Sequence, residues 1–313
     1  MTGPLSAPIA EGLLSRFTVH RLGDRPDRDA YLREIGEGVR GVATSGGHGP
    51  LDAALLDRLP NLEVVANFGV GYDSVDVAEA ARRGVVVTNT PDVLTDEVAD
   101  LAVGLLIATV RRLPQADRFL REGRWIQGSF PLTGTLRGKR VGILGLGRIG
   151  RAIARRLEAF GLEIAYHGRS EQPGVAYAYH PSPETLAGAV DILVVVAPGG
   201  AETRRMIDAA VLRALGPDGI LVNVARGSVV DEPALIEALR DGVIAAAGLD
   251  VFEDEPRVPA ELTAMENVVL LPHVGSASVE TRDAMGRLVV ENLVSWFSGK
   301  GPLTPVAETP WSG

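Results

Sequence analysis

The chain has 313 residues, 46% hydrophobic and 23% charged, which suits two globular domains with buried cores and excludes a disordered or fibrous protein. Its net charge of −9 comes without a basic cluster, which argues against nucleic acid or an anionic membrane as partner. The absence of cysteine excludes disulfides, thiolate metal sites and cysteine nucleophiles. Met1–Phe17 has neither a charged nor an apolar signal region, and the densest apolar stretch, Leu101–Val110, is about half a membrane span, so a cytoplasmic protein is expected.

In chain order, the first third reads as a small α/β unit. Short apolar runs at Val39–Ala43, Leu62–Asn67 and Val85–Thr88, bounded by Gly, Pro and Asn, suggest buried parallel strands. Helical spacing falls between them at Leu51–Leu59 and Val75–Arg82. Pro91 and Asp92 break the pattern, and a largely apolar helix is expected from Glu97 to about Arg112, as a connector between domains.

The second unit opens with a strand, Arg140–Leu144, running into a glycine loop. The helix after it places Ile149, Ile153, Leu157 and Phe160 on one face and ends at Gly161, suited to a left-handed cap. Strands are predicted at Leu162–Tyr166, Ile192–Val196, Ile220–Val224, Ala246–Leu249 and Val268–Leu271, with helices between them, including Ala209–Leu215 and Glu232–Arg240. Such alternation signals a doubly wound parallel sheet, and a last helix, Val279 to Phe297, could return the chain to the first unit.

The glycine loop reads G-L-G-R-I-G. Gly145 permits a tight turn, Gly147 lets backbone approach a pyrophosphate, and Gly150 lets helix and strand pack closely, so the phosphates meet free N–H groups at a helix N-terminus. An NAD site usually carries Asp or Glu about 20 residues on, for the ribose hydroxyls. Here the turn reads Y-H-G-R-S instead, where Arg169 suits a 2′-phosphate and Ser170 adds a hydroxyl donor. NADPH is therefore the expected cofactor, with NADH possible, and His167 could stack near the adenine or have no role.

Three later segments each supply one polar side chain suited to carbonyl chemistry. N-V-A-R-G offers Arg226, whose rigid fork can anchor a carboxylate and polarise a carbonyl; L-P-H-V-G-S-A-S offers His273 as proton donor; D-V-F-E-D-E-P offers Glu255 to orient and charge that histidine. Asp250, at a strand end, is placed to accept from a nicotinamide carboxamide. Each has a plain structural alternative, but all three catalytic candidates fall at or beyond predicted strand C-termini, where open α/β sheets bind ligands. In the first unit, N-F-G-V-G-Y-D (Asn67–Asp73) can present the Val70 and Gly71 N–H groups to the substrate carboxylate. His20, His48 and His180 lack such context and are expected to be solvated, and no metal constellation is seen.

With these segments and L-T-D-E-V-A-D, the chain resembles the D-isomer-specific 2-hydroxyacid dehydrogenases over nearly its whole length, and within them the NADPH-dependent glyoxylate/hydroxypyruvate reductases, through the R-S pair and L-P-H-V-G-S-A-S. The resemblance implies two Rossmann-like domains with parallel sheets and an active site in the cleft between them. Residues 1–97, completed by 281–313, would form the substrate-binding domain and 98–280 the dinucleotide-binding domain. It implies Arg226, Glu255 and His273 as the catalytic set and a homodimer built on the dinucleotide domains. The implied cofactor contacts add Arg148, Ile149, Ala197, Pro198, Thr203, Val224, Ala225 and Gly275. Small 2-oxo acids are the implied substrates, with bulkier acids such as 2-ketogluconate or a phenylpyruvate, or a dinucleotide-sensing corepressor, as alternatives. Glu255 argues against the formate dehydrogenases, which carry glutamine there, and an end at Gly313 leaves no room for the regulatory domain of longer phosphoglycerate dehydrogenases. The segment Trp125–Leu132, which in the reductases reaches over the partner's active site, is thinner in aromatics here, leaving substrate size open.

Exchanging Arg169 for Asp replaces a phosphate-binding cation with a ribose-hydroxyl acceptor. Preference, measured as the ratio of kcat/KM for NADPH and NADH, is expected to move towards NADH; an unchanged ratio rules Arg169 out as the 2′-phosphate contact.

Overall fold

Strand–helix alternation produces a parallel sheet in each of the two compact units of the computed structural model, which describes residues 1–3, 7–46 and 49–311. The first unit comprises Met1–Leu94 with Ser276–Gly313, the second Thr95–Gly275. The breaks thus fall before the long helix at Thr95 and after Gly275, rather than at 97/98 and 280/281. His48 lies outside the described residues.

In the first unit, helices α1 (Ala7–Leu14) and α2 (Arg28–Ile35) precede strand β1 (Gly41–Ser45), then α3 (Ala53–Asp57), β2 (Val64–Phe68), α4 (Val77–Arg82) and β3 (Val86–Thr88); α12 (Val279–Phe297) completes it. The strands pair in order β1-β2-β3, all parallel. Period-two alternation sends Ala43, Val64 and Ala66 to a core with Ile9 and Leu13 of α1 and Val289 and Leu293 of α12. Val42, Val65 and Val87 go to the opposite core with Leu32, Leu56 and Val77. Both faces are therefore covered, which is why these strands read as continuous apolar runs. Helices α1 and α2, eight residues each, are too short for a clear periodic signal; α2 forms under an Asp27 cap, whose carboxylate accepts the Ala30 N–H at 2.8 Å.

The second unit holds α5 (Thr95–Arg111), α6 (Leu113–Arg121), β4 (Arg140–Leu144), α7 (Arg148–Glu158), β5 (Glu163–His167), β6 (Ala178–Tyr179), α8 (Pro183–Ala187), β7 (Ile192–Val195), α9 (Ala209–Leu215), β8 (Ile220–Asn223), α10 (Glu232–Arg240), β9 (Ala246–Leu249), α11 (Ala260–Ala264) and β10 (Val268–Leu270). Its seven strands are parallel, in order β10-β9-β8-β7-β4-β5-β6, so the order reverses between β4 and β7, beside the glycine loop. α5, expected as a connector, packs on α7 and β9, and Arg156 of α7 binds Asp100 at 2.5 Å and Asp96 at 3.0 Å. Small residues permit this closeness: Ala99 and Ala102 on α5 and Gly150, Ala152 and Ala154 on α7 are buried.

Some details depart from expectation. Phe160 is half exposed, because α7 stops at Glu158 before the residue can join its apolar face; Gly161 takes the left-handed conformation, φ 72°. His20 and His180 are half-buried rather than solvated. The His20 Nδ1 lies 2.9 Å from the Tyr31 hydroxyl, and His180 is drawn in because its carbonyl meets the His167 ring at 2.8 Å.

β9 carries a glycine, Gly248, where α5 crosses closest. A Cβ there would lie 2.5 Å from Thr109 Oγ1 and 2.9 Å from Leu105 Cγ. Gly248→Ala is expected to lose about 1–3 kcal/mol, seen as a lower urea midpoint at unchanged m. An unshifted midpoint means that α5 can back away.

Candidate active site

Most site candidates of the second unit sit just beyond the C-terminal end of a parallel strand: Gly145 after β4, Arg169 after β5, Ala197 and Pro198 after β7, Arg226 after β8, Asp250 after β9 and His273 after β10. In a parallel sheet these ends share one edge, so adjacency of β8, β9 and β10 brings together residues distant in sequence.

At the glycine turn, Gly145 adopts φ 103°, and a Cβ on it would fall 2.7 Å from the Ala197 nitrogen. A Cβ on Gly150 would fall 2.2 Å from the Gly145 carbonyl oxygen, so the turn cannot form with larger residues. Nothing approaches the Cβ position of Gly147, and no side chain caps the first turn of α7, as a helix N-terminus that takes an anion requires. The residues present fit a dinucleotide pyrophosphate. Arg169 and Ser170 are exposed at the end of β5. His167 is otherwise engaged: its ring stacks on Tyr179, with centroids 6.4 Å apart, and its Nδ1 meets the His180 carbonyl. At β7 the Thr203 hydroxyl donates to Pro198 O at 2.7 Å, closing the Ala197–Thr203 loop, while Val224 and Ala225 are buried beside Arg226.

His273 and Glu255 form a hydrogen-bonded pair, Nδ1 to Oε2 at 2.7 Å. Glu255 Oε1 accepts the Phe252 N–H at 3.0 Å, which fixes the carboxylate. Burial pushes its pKa up, but the bond and charge of His273, the Phe252 amide and Arg226 together outweigh burial and hold it below the usual carboxylate value. His273 adopts φ 54°, a conformation few side chains accept, and its N–H donates to Asp250 O at 2.8 Å. Arg226 is half-buried, with its Nη1 donating to Ala225 O at 2.7 Å.

Asp250 has a duty its position alone did not suggest. Only 1% exposed, it accepts the Val274 and Gly275 N–H groups, one on each carboxylate oxygen and both at 2.8 Å, and so shapes the loop that carries His273. Asn223 does the same for Arg226: its side-chain oxygen accepts Ala225 N–H and its amide donates to Arg226 O, both at 3.0 Å. Gly227 lies against the backbone of Phe252, where a Cβ would clash at 1.9 Å, and Glu232 accepts the Glu253 N–H at 3.1 Å. Local sequence pattern gives none of Asn223, Gly227 and Glu232 a role. Asn223 and Gly227 stand inside the N-V-A-R-G segment, and that placement was the available signal.

In the first unit, the carbonyls of the Asn67–Asp73 turn point inward. Val70 O accepts Asn89 Nδ2 at 2.9 Å and Gly71 O accepts Asn67 Nδ2 at 3.0 Å. Among the described residues no acceptor meets the Val70 or Gly71 N–H, as an anion-binding turn requires.

Residues 103–275 match the family model described as D-isomer specific 2-hydroxyacid dehydrogenase, NAD binding domain. Over 98% of its length the chain is 50% identical to a glyoxylate/hydroxypyruvate reductase of Arabidopsis thaliana, and equally to a hydroxyphenylpyruvate reductase of Plectranthus scutellarioides, covering 97% of each. It superposes with TM-score 0.92 and 55% identity on the NADPH-dependent glyoxylate/hydroxypyruvate reductase of Sinorhizobium meliloti, solved with NADP and malonate, covering 99% of this chain and 96% of that one.

Glu255→Gln removes the carboxylate charge beside the His273 ring while keeping the shape. In the wild type the pairing needs an ionised Glu255; with its pKa lowered, the pairing's contribution is present above the usual carboxylate range and lost as pH falls through the lowered value. Urea unfolding is expected to show the wild type more stable than the variant near neutral pH, with the difference closing as pH falls through the lowered Glu255 value. A difference that does not change with pH would mean that the ionised Glu255 adds nothing to the pairing.

Proposed function

This chain belongs to the D-isomer-specific 2-hydroxyacid dehydrogenase family, and we propose that it reduces small 2-oxo acids with NADPH, glyoxylate to glycolate and hydroxypyruvate to D-glycerate. The observation that carries the reading is the 2.7 Å His273–Glu255 pair, set on the sheet edge that also carries Arg226 and the glycine turn.

NADPH, when bound, supplies the hydride for the substrate carbonyl carbon, and the chain's own residues do the rest. Gly145, Gly147 and Gly150 with the first turn of α7 hold the pyrophosphate, and Arg169 and Ser170 hold the 2′-phosphate. Arg226 anchors the substrate carboxylate and polarises the carbonyl; the Val70 and Gly71 N–H groups are assigned to the same carboxylate. Glu255 occupies His273 Nδ1, which leaves Nε2 as the nitrogen that gives its proton to the carbonyl oxygen. In the reverse direction Nε2 takes that proton back, and Glu255 stabilises the resulting imidazolium.

Support for the cofactor comes from the Sinorhizobium meliloti relative, named NADPH-dependent and solved with NADP. A second substrate reading, a bulkier acid such as hydroxyphenylpyruvate or 2-ketogluconate, is favoured by relatives bearing those names at 50% and 44% identity. We also propose a homodimer. Trp125, Ile126 and Leu132, in one short segment of the second unit, are 66%, 93% and 100% exposed, more apolar surface than isolated residues leave to solvent. A second copy of the chain would cover them. No helix among the described residues is long and apolar enough to cross a membrane. The cytoplasm, where NADPH is kept reduced, is the compartment proposed.

Steady-state oxidation of NADPH and NADH with glyoxylate, hydroxypyruvate, pyruvate, 2-ketogluconate and hydroxyphenylpyruvate tests the reading, with light scattering on the same preparation for the dimer. Highest kcat/KM is expected for the first two acids with NADPH, at the mass of two chains. Turnover of only the large acids moves the substrate; cofactor binding without any turnover replaces the enzyme by a dinucleotide sensor; the mass of one chain removes the dimer.

A further inference from the structure

Two grips on one rigid ligand add only if their spacing matches it, so a selective 2′-phosphate site needs a fixed distance to the pyrophosphate turn. Two ties span these loops. The first is backbone: Gly145 N–H donates to His167 O at 2.9 Å, where the second loop begins. The second is one side chain, Gln172, where that loop returns. Its Nε2 donates to Leu146 O, within the glycine turn, at 3.1 Å, and its Oε1 accepts from Arg151 of α7. Its backbone N–H donates at 2.8 Å to the hydroxyl of Tyr166, a fully buried residue of β5.

Arg169 and Ser170 lie between the ties and have little else to hold them. Both are exposed, and among the described residues neither side chain has a hydrogen-bond partner. Around them stand Gly168, with space at its Cβ position, and Gly174, at φ 75°. The Tyr179 hydroxyl reaches Gly168 O only at 3.4 Å, a weak restraint.

We propose that Gln172 is a positioning residue for cofactor selection: it holds the Arg169–Ser170 loop at the distance from the glycine turn that lets one NADPH molecule use both grips. NADH, which has no 2′-phosphate, does not depend on that distance. The inference rests on the NADPH reading above and adds a residue to it that need not touch the cofactor.

Gln172→Leu removes both side-chain bonds at similar volume. It is expected to lower kcat/KM for NADPH about tenfold and to leave the NADH value within about twofold. Tyr166→Phe, which removes the acceptor of the Gln172 N–H, should move the ratio the same way by a smaller factor. Calorimetry without turnover gives the parallel readout, with 2′,5′-ADP binding weakened in Gln172→Leu and 5′-AMP binding unchanged. An unchanged NADPH/NADH ratio in Gln172→Leu, or an equal fall with both cofactors, overturns the proposal while leaving the NADPH reading standing. A wild-type chain that prefers NADH overturns the NADPH reading itself, and this inference with it.

Discussion

One buried carboxylate, that of Asp250, holds the acid–base loop in shape. Its two oxygens accept consecutive N–H groups, Val274 and Gly275, and its backbone carbonyl accepts that of His273. Three successive amides are thus drawn to one residue, and His273 is held at a positive φ. Burial keeps the Asp250 carboxyl above its usual pKa, although the amides and His273 oppose it. With the folded value raised, its favourable contribution to folding is present at low pH and lost as pH rises through that value. At neutral pH the fold therefore accepts a local loss of stability in exchange for loop geometry, as functional sites often do.

Five residues further on, Glu255 is shifted the opposite way, since a protonatable imidazole and a guanidinium stand close enough to outweigh its burial. The two carboxylates share a loop and differ in surroundings: Asp250 faces chiefly amides, Glu255 chiefly side chains that carry charge. Environment, rather than residue type, divides the labour into a structural acid and a chemical one.

Both depend on the parallel sheet. Parallel strands direct their C-terminal ends to one edge, and each loop there begins from backbone already fixed by its neighbours. The close contacts follow: Gly227 against Phe252, Gly145 against Ala197, Asn223 between Ala225 and Arg226. The arrangement tolerates little added volume, which explains glycine at two of these places.

Much of this was legible in the sequence by itself. Arg140–Leu144, Ala209–Leu215, Glu232–Arg240, Ala246–Leu249 and Val279–Phe297 form over the ranges expected, the strands because they are short apolar runs and the helices because their apolar residues recur at helical spacing. The glycine fingerprint and the positions of Arg226, Glu255 and His273 beyond strand ends follow from the same local reading. The short helices α8 and α11, five residues each, lack the length for a periodic signal. Only the tertiary structure decided which groups meet. The ties of Gln172 to Leu146, Glu232 to Glu253 and Asp250 to Gly275 span 26, 21 and 25 residues. Strand order, which no local pattern encodes, brings those pairs within hydrogen-bond reach, so the residues that position the chemistry emerged only once the sheet was assembled.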